Sequence, residues 1–176
     1  AGGGSQQGDG QFPINQRGRT SYSGTNSGVY AIDRWKLSIE AGGTVSLSAD
    51  GISFSCPGNG YTYFIQHFED SVLSLLRGKT ATISALDETG LHTLTISIPA
   101  SGNIDTANLS FGSGMSADLI KSGNTALSFR IYNPGKMEAS AKLVAVKLEL
   151  GSTQTLAYQD EAGGWQLFET PDYGAE

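Results

Sequence analysis

The chain has 176 residues, a formal charge of −6, and 24 glycines beside 5 prolines and a single cysteine. That length suits one domain with a sizeable core; the acidity, with Lys and Arg scattered rather than clustered, excludes a phosphate-neutralising stripe for nucleic acid, and the lone Cys56 excludes an internal disulfide. No apolar run reaches the ~18 residues of a membrane-spanning helix and no signal-peptide pattern opens the chain, so the expectation is a soluble protein without membrane insertion.

Residues 1–10, Ala-Gly-Gly-Gly-Ser-Gln-Gln-Gly-Asp-Gly, read as a flexible linker or an expression scar, leaving 11–176 as one β-sandwich domain. From Gln11 to Ser27 an irregular lead-in carries Phe12, Ile14 and Tyr22 as pins. Val29 to Ile39 then reads as one strand with Ile32 out of step and Trp35, Leu37 and Ile39 on the core face, closed by Gly42-Gly43. Val45 and Leu47 begin the next strand; Asp50-Gly51 signals a tight hairpin turn, and Ile52 and Phe54 return from it. Cys56 to Gly60 forms a loop before a strand from Tyr61 to Glu69, with Tyr61, Tyr63 and Ile65 on one face and Phe64 and Phe68 on the other.

Val72, Leu73 and Leu76 fall at helical spacing within Asp70 to Leu76, with Asp70 or Ser71 as the cap. Strands follow at Lys79 to Leu86 and Leu91 to Ile98 around Asp87-Glu-Thr-Gly90. Ser101 to Asn124 is polar and turn-rich, an excursion holding a weak strand near Leu109–Phe111 and an apolar patch at Leu119-Ile120. Alternation resumes from Thr125 to Tyr132, turns at Asn133-Pro-Gly-Lys136, and reaches its clearest form in Ala141 to Gly151. There Val144, Val146, Leu148 and Leu150 share the core face, opposite Leu143, Ala145, Lys147 and Glu149. Thr155–Gln159 and Trp165–Glu169 flank Asp160 to Gly164 as a last hairpin. So many short strands with regular turns specify an all-β fold, an antiparallel β-sandwich of the jelly-roll kind with at most one short helix.

Chemistry is sparse. Arg77-Gly-Lys-Thr80 lacks the earlier glycine of a phosphate loop, no nucleophile elbow occurs, and His67 and His92 stand in ordinary strand contexts. Asn103, Asp105 and Asn108 could offer oxygen ligands in a loop, but without the dense acidic pattern of a calcium site. No catalytic residue, metal or cofactor is implied, and the expectation is a protein that is not an enzyme. Tyrosines beside polar turns are the more informative class, because sugar rings stack on aromatic faces while amides bind hydroxyls. Tyr61 with Asn59, and Tyr132 with Asn133, are the ligand-binding candidates.

Three stretches carry a resemblance: Ile14-Asn-Gln-Arg-Gly18 followed by Tyr30-Ala-Ile-Asp-Arg-Trp35; Leu76-Arg-Gly-Lys-Thr-Ala-Thr-Ile-Ser84; and Val146-Lys-Leu-Glu-Leu-Gly151 with Pro171-Asp-Tyr-Gly174. In this order they resemble the carbohydrate-binding-like jelly-roll modules near the ends of tail-fibre and other virion proteins of bacteriophages and prophages. The departure is at the end, where such chains continue with a further Cys- and Tyr-containing strand. The resemblance implies a non-enzymatic virion module on a tail or capsid surface, assembled in the bacterial host cytoplasm. It would bind a bacterial surface glycan beside other virion proteins, and such modules can form a homotrimer. It also implies structural roles for Asp33, Arg34, Trp35 and Glu149. The alternative is a structural or decorating virion protein, such as a head fibre or capsid accessory protein.

Overall fold

The computed structural model describes residues 21–23, 29–32, 35–48 and 50–168. The linker, the lead-in pins Phe12 and Ile14, Asp33 and Arg34, and Pro171 to Gly174 lie outside the described residues. The elements in order are β1 (Ser21–Ser23), β2 (Val29–Ile32), β3 (Trp35–Ile39), β4 (Thr44–Ser48), β5 (Gly51–Cys56), β6 (Thr62–Phe68) and helix α1 (Asp70–Leu76). There follow β7 (Thr80–Asp87), β8 (Gly90–Ser97), β9 (Ile104–Asp105), β10 (Leu109–Phe111), β11 (Met115–Lys121), β12 (Leu127–Tyr132), a 3-10 turn (Pro134–Lys136), β13 (Ala139–Leu150), β14 (Ala157–Gln159) and β15 (Trp165–Leu167). One sheet has the order β1-β4-β5-β13-β7-β8; the other runs β10-β11-β12-β6-β3-β2, with β9 also pairing β11. The pairings are antiparallel. The long late strand β13 sits between two earlier ones, β5 and β7, and the two sheets form an antiparallel β-sandwich.

Alternation decides which side chains meet between the layers. Trp35, Leu37 and Ile39 from β3, Phe64 and Phe68 from β6 and Leu127, Phe129 and Ile131 from β12 face Val45, Ile52, Phe54, Ile83 and Leu148 of the opposite sheet in one buried cluster. Trp35 stacks on Phe64 at 4.7 Å, and Phe54 of the facing sheet meets Phe64 edge-on at 6.0 Å, so the aromatic core spans both layers. Cys56 lies across the same gap with its sulfur 3.9 Å from that of Met115, and burial pushes its thiol pKa up.

Several sequence expectations need correction. Val29 to Ile39 is not one strand but the hairpin β2–β3, with Ile32 registered on Trp35; the out-of-step Ile32 marks the fold-back. Ser48 pairs with Gly51, so Gly51 opens the return strand instead of closing the turn. The supposed excursion contributes β11 to the interior of its sheet, burying Met115, Ala117 and Leu119. The cap of α1 is Glu69, and it makes no side-chain capping hydrogen bond. In β13 the register shifts between Leu143 and Ala145, a bulge at Val144. The core face therefore runs through Ala139, Ala141 and Leu143 before the bulge and Val146 and Leu148 after it, while Leu150 is exposed.

The bulge leaves Ala145, Lys147 and Glu149 on the outer face of their sheet, and the β14–β15 hairpin covers them. Leu86, Ala145, Leu156 and Ala157 form a second, smaller apolar cluster there. Glu149 accepts hydrogen bonds from the Thr155 N–H at 2.9 Å and hydroxyl at 2.7 Å, while Lys147 Nζ donates to that hydroxyl at 2.6 Å. One sheet is thus roofed by its own chain. The other keeps an outer face on which β12 and β6 place their polar and tyrosine rows.

Candidate functional site

The pattern that buries Phe64 and Phe129 turns the residues between them outward. On β12 these are Ser128, Arg130 and Tyr132; on β6 they are Tyr63, Ile65 and His67; on β11, Ser116, Asp118 and Ile120. Register sets Tyr132 beside Tyr63, and Arg130 between Ile65 and Asp118. Tyr61, just ahead of β6, extends the tyrosine row beyond the sheet end.

These side chains make one connected cluster. The Tyr61 and Tyr63 rings are 4.8 Å apart, Tyr63 and Tyr132 stack at 5.2 Å with 25° between planes, and Tyr61 lies 6.3 Å from Tyr132. The Arg130 guanidinium sits over the Tyr132 ring at 4.5 Å, and the Lys136 ammonium over Tyr61 at 5.4 Å. Behind the rings, Arg130 grips Asp118 with both prongs: Nε donates to Oδ1 at 2.8 Å and Nη2 to Oδ2 at 2.7 Å. Nη2 also donates to the Tyr132 hydroxyl at 3.3 Å, which in turn donates to Asp118 Oδ2 at 3.1 Å. Asp118 anchors the group, its side chain 2% exposed, whereas that of Arg130 remains 19% exposed.

The electrostatics follow from this packing. Hydrogen bonds from Arg130 to Asp118 raise the guanidinium pKa still further above its ordinary value. Burial, reinforced by Tyr61, pushes the Tyr63 hydroxyl up to about 12, and burial with Asp118 beside it raises that of Tyr132. At neutral pH the Tyr63 and Tyr132 hydroxyls are therefore uncharged and held against a permanent cation. Such a surface can accept and donate hydrogen bonds and offer apolar ring area.

Of the candidates read from sequence, the fold brings the two loops together. The Asn59 N–H donates to Lys136 O at 2.8 Å, joining Cys56–Tyr61 to Asn133–Lys136. Tyr61 is half-buried at the rim of the cluster; Tyr132 is 7% exposed and is its inner wall. Asn59 is exposed, with a positive φ of 66°. Asn133 is 0% exposed: its Oδ1 accepts the Thr62 N–H at 2.7 Å, and its Nδ2 donates to Gly60 O at 3.0 Å and Met137 O at 2.9 Å. Its amide thus rivets the two loops instead of facing outward, which corrects the expectation of a hydroxyl-binding group. Arg130 and Asp118 were not among the candidates, and Tyr63, an aromatic candidate by residue type, was not singled out with Tyr61 and Tyr132 beside the polar turns. Their signal was the two-residue spacing of Tyr61 with Tyr63 and of Arg130 with Tyr132, which puts each pair on one strand face.

The other polar groups among the described residues make local contacts. His92 Nε2 contacts Asp87 Oδ1 at 3.0 Å and Thr89 Oγ1 at 3.1 Å, so acid and hydroxyl share one ring nitrogen, where a nucleophilic relay needs both. Asp87 also accepts the Gly112 N–H at 2.6 Å, tying the β10–β11 turn to the opposite sheet. His67 Nδ1 pairs with Ser128 Oγ at 2.8 Å. Asn103 Oδ1 accepts the Gly123 N–H at 2.9 Å and Asn108 Nδ2 reaches the Tyr132 hydroxyl at 3.5 Å, so these two candidate oxygen-ligand residues serve different neighbours. Among the described residues no three His, Cys, Asp or Glu side chains converge as a metal cluster, and no helix is long and apolar enough to cross a membrane.

Fold and cluster together define an antiparallel β-sandwich with a tyrosine-lined, arginine-braced patch on one sheet face. Comparison with protein-family models, curated proteins and solved structures gives no match to this chain.

Proposed function

We propose that this chain is a non-enzymatic virion module that binds carbohydrate on a bacterial surface, and that it does so on the outer face of the β12–β6 sheet at its Tyr61, Tyr63 and Tyr132 end. The observation that carries the reading is the ring row itself. Tyr61 and Tyr63 each keep part of their rings at the surface, beside the hydroxyls, the partly exposed Arg130 and the exposed Asn59. Apolar ring area with a few fixed polar groups is what a sugar, apolar on its C–H face and polar around its rim, requires. The resemblance to tail-fibre jelly-roll modules points the same way. The ligand contacts expected from sequence at Tyr61, Tyr132 and Asn59 extend in this reading to Tyr63, while Asn133 shapes the loop.

Binding of labelled protein to a glycan array and to whole bacteria tests this. The parent should bind a defined glycan, and Tyr61→Ala and Tyr63→Ala should lose it while keeping the parent's circular dichroism and melting temperature. A well-folded parent that binds no glycan and no bacterium would overturn the proposal.

A second reading, a structural or decorating virion protein, has its own support on the roofed side of the sandwich. Tyr158 and Phe168 are 45% and 56% exposed and touch each other at 4.9 Å, an apolar surface suited to assembly. Electron microscopy of labelled virions separates the two: a tail-tip position favours attachment, and a head position favours decoration.

A further inference from the structure

We infer that Asn59 is a site of spontaneous modification, at which the side-chain amide is lost and an aspartate or isoaspartate takes its place. Asn59 is exposed, with backbone in the left-handed region at φ 66°, and it is followed by Gly60. Among the described residues neither the Asn59 side chain nor the Gly60 N–H makes a hydrogen bond, so the nucleophile and the carbon it would attack are adjacent and uncommitted. The glycine is demanded by packing: a Cβ there would lie 2.6 Å from that of Ala41 and 2.9 Å from that of Glu40. The fold thus keeps at position 60 the residue that least obstructs ring closure.

The chemistry balances without oxidant or cofactor. Base removes the Gly60 amide proton, the nitrogen attacks Asn59 Cγ, and the bond from Cγ to Nδ2 breaks to release ammonia and leave a five-membered succinimide. Water then adds to one of the two imide carbonyls and that C–N bond opens. Opening at the α-carbonyl gives isoaspartate, with an extra methylene in the main chain; opening at Cγ gives aspartate.

The remaining described asparagines lack this arrangement. Asn133 is buried and precedes Pro134, which has no N–H to attack with. Asn103 and Asn124 precede β-branched Ile104 and Thr125, and Asn108 precedes Leu109. Position 59 is also where the change would be felt. The Asn59 N–H donates to Lys136 O at 2.8 Å and Gly60 O accepts Asn133 Nδ2 at 3.0 Å, so an added methylene falls between the two bonds that join the loops under Tyr61. Either product also places a carboxylate beside Lys136.

The modification needs no glycan and is tested without one; only its effect on binding rests on the proposed function. Full-length protein is incubated in mildly alkaline and mildly acidic buffer, then digested, mapped by mass spectrometry and probed with an isoaspartate-specific methyltransferase and a labelled methyl donor. The peptide holding residue 59 should gain the mass of amide-to-acid exchange ahead of every other asparagine peptide, faster in alkali, and should accept methyl label. Asn59→Gly, which tolerates the positive φ, should abolish the label and keep the fold. An unchanged residue 59 after other asparagines have converted, or after prolonged alkaline incubation with no conversion anywhere, would overturn the inference. On a glycan that fresh parent binds, aged parent should bind less, in step with the fraction converted at residue 59. Equal binding by fully converted protein would overturn the claimed effect on the site.

Discussion

Removing either partner of the Asp118–Arg130 pair should cost stability unequally, because the two are not buried equally. Arg130→Ala leaves a carboxylate that is 2% exposed with only the Tyr132 hydroxyl at 3.1 Å to stabilise it. Stranding one member of a buried pair costs ~3–5 kcal/mol, and with so little access to water about 4 kcal/mol is expected here. Asp118→Ala strands a guanidinium that is 19% exposed and rests on the Tyr132 ring at 4.5 Å. Water reaches it, so about 2 kcal/mol is expected. The double variant removes both charges and should cost about 2 kcal/mol less than the sum of the singles. Urea unfolding followed by tryptophan fluorescence measures this; for a slope of about 2 kcal/mol/M, the singles should differ by about 1 M in midpoint. Equal midpoints, a reversed order or simple additivity would refute the argument that Asp118 is the buried anchor and Arg130 its partly wetted clamp.

Burial pushes the Asp87 carboxyl pKa up, but hydrogen bonds from Thr89, the Gly112 N–H and His92 outweigh it and hold the group below its ordinary value. A lowered folded value contributes stability in full above the unfolded pKa of ~3.9 and loses it as pH falls through the folded value, so the urea-midpoint gap between parent and Asp87→Asn should close below about pH 4; a gap independent of pH would count against it. Gly112 and Gly123 share a φ of 58°, yet a Cβ on Gly112 would run into Ala141 and lie 2.6 Å from Ser140 O, whereas Gly123 has nothing within 4 Å. Gly123→Ala should therefore cost about 1 kcal/mol of backbone strain and Gly112→Ala about 3 kcal/mol or more, with thermal melts reading the difference. Thr155→Val removes the hydroxyl shared by Lys147 and Glu149, so hydrogen exchange at 157–159 and 165–167 should quicken while β7 and β13 keep their protection; unchanged exchange in the hairpin would show that the apolar cluster alone holds it.

Where a strand buries one face and turns polar residues to the other, with Lys36 and Ser38 between Trp35, Leu37 and Ile39, or Ser128 and Arg130 between Leu127, Phe129 and Ile131, its position in the core is legible from alternation alone. Legibility fails where tertiary pairing overrides the local pattern. The polar, turn-rich composition of Ser101 to Asn124 hid β11, whose buried Asp118 carboxylate is accommodated by Arg130, twelve residues on, across a pairing that spacing does not reveal. The fold-back that sets Ile32 on Trp35 was hidden because the pattern from Val29 to Ile39 nearly keeps step through it. In the candidate site, turn chemistry pointed to two loops that the fold brings together, and to Tyr61 and Tyr132 beside them. It could not tell an outward amide from an inward one: Asn59 and Asn133 both sit in Pro-Gly loops, yet one is exposed and the other spent on three backbone groups. Tyr63 was visible as a strand residue, but its place between the other two rings depends on the β12–β6 register.

The bulge in β13 gives that strand an unequal tolerance of length change. Leu143 and Ala145 oppose consecutive residues of β7, Asp87 and Leu86, so Val144 is the supernumerary residue. A chain shortened by that one residue would read Leu143 in, Ala145 out, Val146 in, Lys147 out and Leu148 in, with every remaining partner unchanged. It would forgo Val144's own contacts, among them its packing against the small outer cluster. Shortening the strand at Lys147 instead would swap the faces of everything beyond it, turning Leu148 outward and Glu149 toward Trp35 and Phe129. A twelve-residue strand that looks uniform on the page therefore has a single position at which the reading frame of its pleat can lose a residue and remain in phase.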